Sequence, residues 1–356
     1  MTIKRTAVIL ALLIWHCWFP SPASGAVRVT ADAAVLMEAS SGQILYAKDA
    51  YHPRPPASTT KIMTALLALE NSSVRDTVLV GPRPPRTSGS TLGIGSGRGY
   101  PLEDLIKASL ICSANDASLA IGEHVGGNEA TFLYMMNKKA ASLGARSCSF
   151  RNTNGLPAAG HLISAYDLAL IARYALRHPL FADIVKTPSC TIFSGARTIY
   201  NTNRLLSSFP GADGVKTGTT NAAGQCLVAS ATREGRQLIA VVLHSNNRFA
   251  DAAKLLEYGF RDWEEEISFP AGEVMAVLPV KGGKPTTVEA VLTERLGVSV
   301  PRTEDRVTCE LVLDRNEIEP LPAGTRVGEA VLKWKGRELQ RVPLVTRQKA
   351  SRSFIW

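Results

Sequence analysis

Apolar positions along the chain fall into helical and strand rhythms that alternate with Gly- and Pro-rich breaks. Ile62, Met63, Leu66 and Leu67 follow the 3.6-residue period of a helix with one buried face. Pro55 and Pro56 bar a helix from running in upstream, which places its start near Ala57 or Ser58. PLEDLIKASLI (101–111) predicts a second helix, with Pro101 in its first turn and two acids beside it. DASLAIGEHV predicts a third, ended by Gly126-Gly127. Ser164-Ala165-Tyr166-Asp167 has the form of a capping box opening DLALIARYAL, and RFADAAKLLEYGF (248–260) predicts a further helix. AAVLMEASSGQILYA (33–47) reads as two strands around a Ser-Ser-Gly turn. GQCLVASATREGRQLIAVVLHS (224–245) reads as an antiparallel hairpin near a sheet centre, turned by Arg-Glu-Gly. Residues 81–100 are rich in Gly, Pro and Ser and predict a loop with one short strand.

Beyond about residue 265 the texture changes. EVMAVLPV, TTVEAVLT, RVTCELVL and EAVLKWK are short β-rich stretches separated by Gly, Pro and charge, as in a small all-β domain. A chain of 356 residues is long for one core, and two domains are the default. The first 26 residues have the form of a secretory signal peptide: basic Lys4 and Arg5, an apolar run from Ala7 to Trp15, then Ser24, Gly25 and Ala26. The expected division is therefore 1–26 signal peptide, 27–264 α/β domain, 265–346 all-β domain and 347–356 basic, aromatic tail.

Cleavage removes Lys4, Arg5 and no acid, so the net charge of +9 becomes +7, which favours anionic partners such as membrane surfaces or cell-wall polymers. Export argues against nucleic acid, and no zinc-finger spacing or aromatic–basic module is present. The glycine cluster GIGSGRG does not fit G-x-G-x-x-G and joins no strand to a helix, so no nucleotide site is expected. Five cysteines remain after cleavage, an odd number without C-x-x-C spacing, and no His cluster accompanies them. Neither a disulfide framework nor a metal or other cofactor is expected.

Three short stretches carry chemistry. Ser58-Thr59-Thr60-Lys61 opens the first helix, with Ser58 and Lys61 one turn apart on one side. Ser113-Ala114-Asn115 lies between two helices, and Lys216-Thr217-Gly218 precedes the central hairpin. S-x-x-K alone is common and fits a serine cap beside a solvated lysine. The combination of S-x-x-K, S-x-N and K-T-G, in that order and about 50 and 100 residues apart, is specific. A serine hydroxyl attacks only when a base takes its proton, and Lys61 serves only if neutral. Burial and the like charge of Lys216 both lower its pKa. Ser113 can pass the proton to a leaving amine, and Asn115 offers a donor and an acceptor to a substrate amide. Lys216 and Thr217 suit a carboxylate, and Gly218 allows close backbone approach. Backbone N–H groups of Ser58 and Thr219 suit an oxyanion hole, roughly 3 kcal/mol per donor.

PASTTKIMTALLALE, CSANDAS, GLPAAGHLISAYDLALIARYA and DGVKTGTT closely resemble the serine-type D-alanyl-D-alanine carboxypeptidases, the low-molecular-mass penicillin-binding proteins, over roughly residues 30–262. The resemblance implies a penicillin-binding/β-lactamase-like α/β (α+β) domain with a central antiparallel sheet flanked by helices. It also implies a trailing β domain similar to one many members carry. It makes Ser58 the acylated nucleophile and Lys61 the base, with Ser113 and Asn115 completing the site and Lys216 holding a terminal carboxylate. The implied substrates are peptidoglycan stem peptides, and β-lactams are the implied inhibitors.

Two departures stand out. Ala114 occupies the position of an aspartate in β-lactamases, and the chain ends at VTRQKASRSFIW instead of a long amphipathic helix. Residues 333–356 hold seven Lys or Arg against Glu338 alone, which predicts weak, salt-sensitive membrane attachment. A class A-like β-lactamase would also need a glutamate in E-x-x-L-N, which is missing here. A D,D-endopeptidase would share every catalytic group. His161 and Asp213 read as structural, and Asn203 as orienting a strand.

Overall fold

The computed structural model describes residues 27–302 and 306–352. The predicted signal peptide and Phe354-Ile355-Trp356 lie outside the described residues. Strands β1 (Ala33–Glu38) and β2 (Ile44–Lys48) form the expected first hairpin. With β3 (Ala212–Thr220), β4 (Gly224–Arg233) and β5 (Arg236–Ser245) they make an antiparallel sheet ordered β2-β1-β5-β4-β3. The 224–245 hairpin therefore occupies central positions, as its apolar runs predict.

Helices cover both faces of this sheet. On one side lie α1 (Lys61–Asn71), α2 (Leu102–Leu110), α3 (Asn115–Gly126), α4 (Glu129–Ser142), α5 (Ala165–Ala175) and α6 (Pro179–Val185). The short α7 (Leu205–Ser208) and α8 (Arg248–Asp262) pack on the other. Alternate residues of β1 divide between the two cores: Ala33, Val35 and Met37 lie on the α5 side, while Ala34 and Leu36 face α8. Ile239, Val241 and Leu243 of β5 alternate in the same way with Leu238, Ala240 and Val242. A strand buried on both faces has no polar side, which is why these stretches read as continuous apolar runs. Gly259 brings α8 close to the sheet, since a Cβ there would lie 2.5 Å from Leu238.

The local signals at helix ends act largely as expected. Gly127 adopts φ +72° and stops α3. The Ser164 side chain accepts from the Asp167 N–H to start α5, but the Asp167 carboxylate turns to the Ser147 N–H at 2.6 Å, so the box closes on one side only. Pro101 ends a short strand, Gly99–Pro101, and caps α2 from outside.

In the C-terminal part, strands Val274–Pro279, Thr287–Leu292, Arg337–Thr346, Arg326–Trp334 and Val307–Leu313 lie side by side in that order. Leu278, Val288, Ala290, Leu332 and Leu344 lie in their aliphatic core. Strand Trp263–Phe269 pairs with Leu296–Pro301 and straddles the expected boundary between 264 and 265. Its first residue, Trp263, is buried in the catalytic core. The expected tail also needs correction as far as residue 352. Arg347 bonds Glu289 and the Gly272 carbonyl, Ala350 is buried, and Ser351–Arg352 pairs with Gly283–Lys284. Residues 347–352 are thus laid onto the β domain.

Candidate active site

The three motifs converge on one place, and backbone geometry brings them there. The turn Ala57–Thr60 is 3-10 and leads directly into α1. Ala57 (φ +49°) and Ser113 (φ +66°) both occupy the left-handed region, a strain of order 1 kcal/mol or more for each residue with a Cβ. Two glycines press on the Ser58 turn from opposite segments. A Cβ on Gly218 would sit 2.9 Å from the Ser58 nitrogen, and one on Gly155 would sit 1.8 Å from the Ala57 oxygen. The close approach expected of Gly218 is real. Gly155 adds a second one that no motif announces.

Lys61 is wholly buried at the head of α1. Its Nζ lies 2.9 Å from Ser58 Oγ and donates to Asn115 Oδ1 (2.7 Å) and the Asn154 carbonyl (2.6 Å). Burial pushes its pKa well below the ordinary lysine value, and the Lys216 charge adds to the effect. Ser58 is the half-buried member, and its chain neighbour Ala57 lines a cavity of about 300 Å³ together with Pro56, Gly155, Leu156 and Thr220 among others. Asn154 is missing from the sequence reading. It acts through its backbone carbonyl, and a backbone contact leaves no residue-type signature.

Asn115 is tied into the protein at both ends of its amide. Its amide oxygen accepts from Lys61 and its Nδ2 donates to the Ser88 carbonyl, so both ends align groups of the protein. Next to it, Asp116 is buried and accepts from the N–H groups of Leu92, Gly93 and Ile94. The glycine-rich stretch therefore does form an anion nest, and the anion is a carboxylate of the same chain. That latch, with Asn115 N–H on the Ser90 carbonyl, fixes the 88–94 loop beside the site.

Lys216 is also buried, with Nζ donating to the Thr217 carbonyl at 3.0 Å, and burial lowers its pKa to about 7. Thr217 Oγ1 lies 2.6 Å from Thr202 Oγ1. A cation the sequence reading missed, Arg248 at the start of α8, donates to the Gly218 carbonyl (2.8 Å) and Thr219 Oγ1 (2.6 Å). Its buried Nε has no partner among the described residues. Nothing in a helix-opening arginine distinguishes it before the fold brings α8 to the end of β3.

The remaining polar residues brace this frame. Asp213 accepts from Ser230, Thr232 and Gln237, tying β3, β4 and β5 together. Asn203 Nδ2 donates to the Gly214 carbonyl on β3. His161 Nδ1 accepts from the Arg151 N–H, which makes Nε2 the protonated nitrogen facing Thr60 Oγ1 at 2.8 Å. Thr60 in turn donates to the Ala57 carbonyl.

A helix-opening serine beside a buried lysine, with a serine–asparagine corner and a K-T-G strand, defines the serine acyl-enzyme class of α/β proteins. The profile of the family described as D-alanyl-D-alanine carboxypeptidase matches residues 21–247, and that of the penicillin-binding protein 5 C-terminal domain matches residues 263–352. The chain belongs to the D-alanyl-D-alanine carboxypeptidase family. It is 34% identical to the D-alanyl-D-alanine carboxypeptidase DacF of Bacillus subtilis, over 89% of this chain and 85% of that one. It is 33% identical to DacC of Escherichia coli, over 91% and 85% respectively. Among solved structures, penicillin binding protein 5 of Haemophilus influenzae superposes with a TM-score of 0.82 at 26% identity, over 92% of this chain and 99% of that one.

Proposed function

We propose that the chain is an exported serine D-Ala-D-Ala carboxypeptidase that removes the terminal D-alanine of peptidoglycan pentapeptides through an acyl-Ser58 intermediate. The carrying observation is the environment of Lys61. Two of its three neighbours, Asn115 Oδ1 and the Asn154 carbonyl, can only accept hydrogen bonds. A neutral amine has two N–H groups for them and one lone pair left for Ser58. Burial, with the Lys216 charge beside it, shifts the amine toward that neutral form.

In this mechanism Ser58 Oγ attacks the carbonyl between the two D-alanines while its proton moves to Lys61. Backbone N–H groups of Ser58 and Thr219 hold the oxyanion. The C–N bond then breaks, Ser113 relays the proton to the departing amine, and water hydrolyses the ester. Asn115 aligns Lys61. Lys216 and Thr217 floor the carboxylate end, and Arg248 supplies its permanent charge there, because a lysine with a pKa about 7 is only part-protonated at neutral pH. A β-lactam enters the same sequence as far as the ester, so it inhibits.

In this reading a cleaved signal peptide puts the activity outside the cytoplasm, and the basic mature chain is drawn to anionic surfaces. No helix among the described residues is long and apolar enough to cross a membrane. Release from membranes by high salt tests the attachment; salt-resistant binding overturns it.

The activity is tested by free D-alanine released from a peptide ending in D-Ala-D-Ala. Wild type, Ser58→Ala and penicillin-treated enzyme are compared side by side. Release should vanish in both controls. No release by folded wild type, with cross-linked dimer cleaved instead, would replace the reading with endopeptidase action.

A further inference from the structure

A second cavity, about 440 Å³, lies where α5 and the β4–β5 turn meet the β domain. Four arginines line it, Arg173, Arg177, Arg236 and Arg295, against two acids, Glu38 and Glu265. Both acids already hold an arginine, and Glu38 Oε1 is buried with no hydrogen-bond partner among the described residues. Glu38, almost fully buried, holds Arg236 Nε at 2.8 Å and the Ser299 hydroxyl at 2.9 Å. Glu265 pairs with Arg295.

Among the described residues, Arg173 and Arg177 have no counter-charge. Arg173 spends Nε and one Nη on the carbonyls of Ala39 and Ser40. The Arg177 side chain is exposed and forms no hydrogen bond or ion pair with the described residues. Arg173 lies in the last turn of α5 and Arg177 two residues beyond its end, close enough for the like charges to repel. In keeping with that, burial first and Arg177 second lower the pKa of Arg173. One arginine near a helix C-terminus is favoured by the helix dipole. Two uncompensated ones, converging on a concave cleft with Arg295 across it, make an anion seat.

We propose that this cleft binds a doubly charged phosphate oxoanion, inorganic phosphate or a phosphate-ester group, bridging the catalytic and β domains. The excess of two positive charges sets the ligand charge, and the fork geometry of guanidinium suits planar pairs of phosphate oxygens. Glu38 and Arg236 form the floor, and Arg177, on the rim, is the group most free to close on the ligand.

The test is calorimetric titration of the mature protein with inorganic phosphate at constant ionic strength, in wild type, Arg177→Glu and Lys254→Glu. Lys254 is an exposed α8 residue outside the cavity, so its reversal changes net charge equally. Wild type and Lys254→Glu should bind alike, and Arg177→Glu should bind about tenfold more weakly or not at all. Unchanged D-alanine release by Arg177→Glu confirms a folded enzyme. A parallel arm sediments the same proteins with phosphatidylglycerol vesicles. Vesicle binding lost in Arg177→Glu alone assigns the phosphate to a lipid headgroup, and titration alone assigns it to a free oxoanion. The proposal is overturned if wild type binds neither probe, or if both charge reversals weaken binding equally.

Discussion

In the catalytic domain Lys61, Lys216, Asn115, Asp116, His161, Asp167 and Asp251 are each no more than 5% exposed, whereas in the described β domain the buried polar residues are Ser299 and Thr346. The β domain keeps its charge outside, in pairs such as Arg347–Glu289 and Lys333–Glu310, over an aliphatic interior. The two cores do different work. A fold needs only apolar surface removed from water. A site that, in the proposed mechanism, keeps a lysine neutral and three motifs in register needs buried polar groups, nearly all with partners, because an unpartnered one is costly. Substitutions in the first domain should therefore disturb chemistry and stability together, and those at the β surface should disturb neither.

The largest effect should come from Lys61→Met, which keeps length but removes the base. Acylation by a fluorescent penicillin should slow by roughly 10³-fold with the fold intact, and a rate near wild type would remove Lys61 from proton transfer. Next is Asp116→Ala, which empties the nest and strands the N–H groups of Leu92, Gly93 and Ile94. Denaturant unfolding should report a loss of about 3 kcal/mol, with acylation slowed as the 88–94 loop is released.

The third prediction is a pH dependence. The folded His161 has a pKa about 4 against an ordinary value of 6.5, with burial the main cause. Between those values the unfolded chain binds more protons, so the contribution of His161 is complete above pH 6.5 and is lost as pH falls toward 4. The loss approaches about 3 kcal/mol. Its structural cause is that Nδ1, once protonated, would face the Arg151 N–H as a second donor. His161→Gln should flatten that limb of the stability–pH curve relative to wild type, and parallel curves would refute the assignment. Smallest is Glu289→Gln on the β surface, which should shift stability by less than about 1 kcal/mol and leave D-alanine release unchanged. A large effect there would show that the β domain also depends on polar contacts.

The contrast also decides how much could be read from the chain. The central hairpin, α1, α3, α5 and α8 were legible because their apolar positions keep one period and their ends carry Gly, Pro or Ser signals. Helix α4 was not, since it buries only Phe132, Met136 and Ala140, too narrow a stripe to mark a face. The strand Arg337–Thr346 was hidden by its charges and by Pro343, which argues against a strand in a sheet interior. At the site, Ser58, Lys61, Ser113, Asn115 and the Lys216-Thr217-Gly218 run were visible as motifs. The Asn154 carbonyl, the Gly155 contact and Arg248 were not, because each depends on where the backbone goes and not on a local residue pattern.

The two glycines that grip the Ser58 turn also bear on how this protein can change under an acylating antibiotic. Clearance around Ser58 is set mostly by main-chain atoms, since Gly218 meets the Ser58 nitrogen and Gly155 meets the Ala57 carbonyl with no room for a methyl group. Selection acts on side chains, and the one side-chain atom at these contacts is the Ala57 Cβ, 3.0 Å from where a Cβ on Gly218 would lie. Escape by reshaping must come from the walls farther out, such as Leu156 and Thr220 beside the cavity or the latched 88–94 loop. Those variants would alter which molecules reach Ser58 and leave its own surroundings as they are.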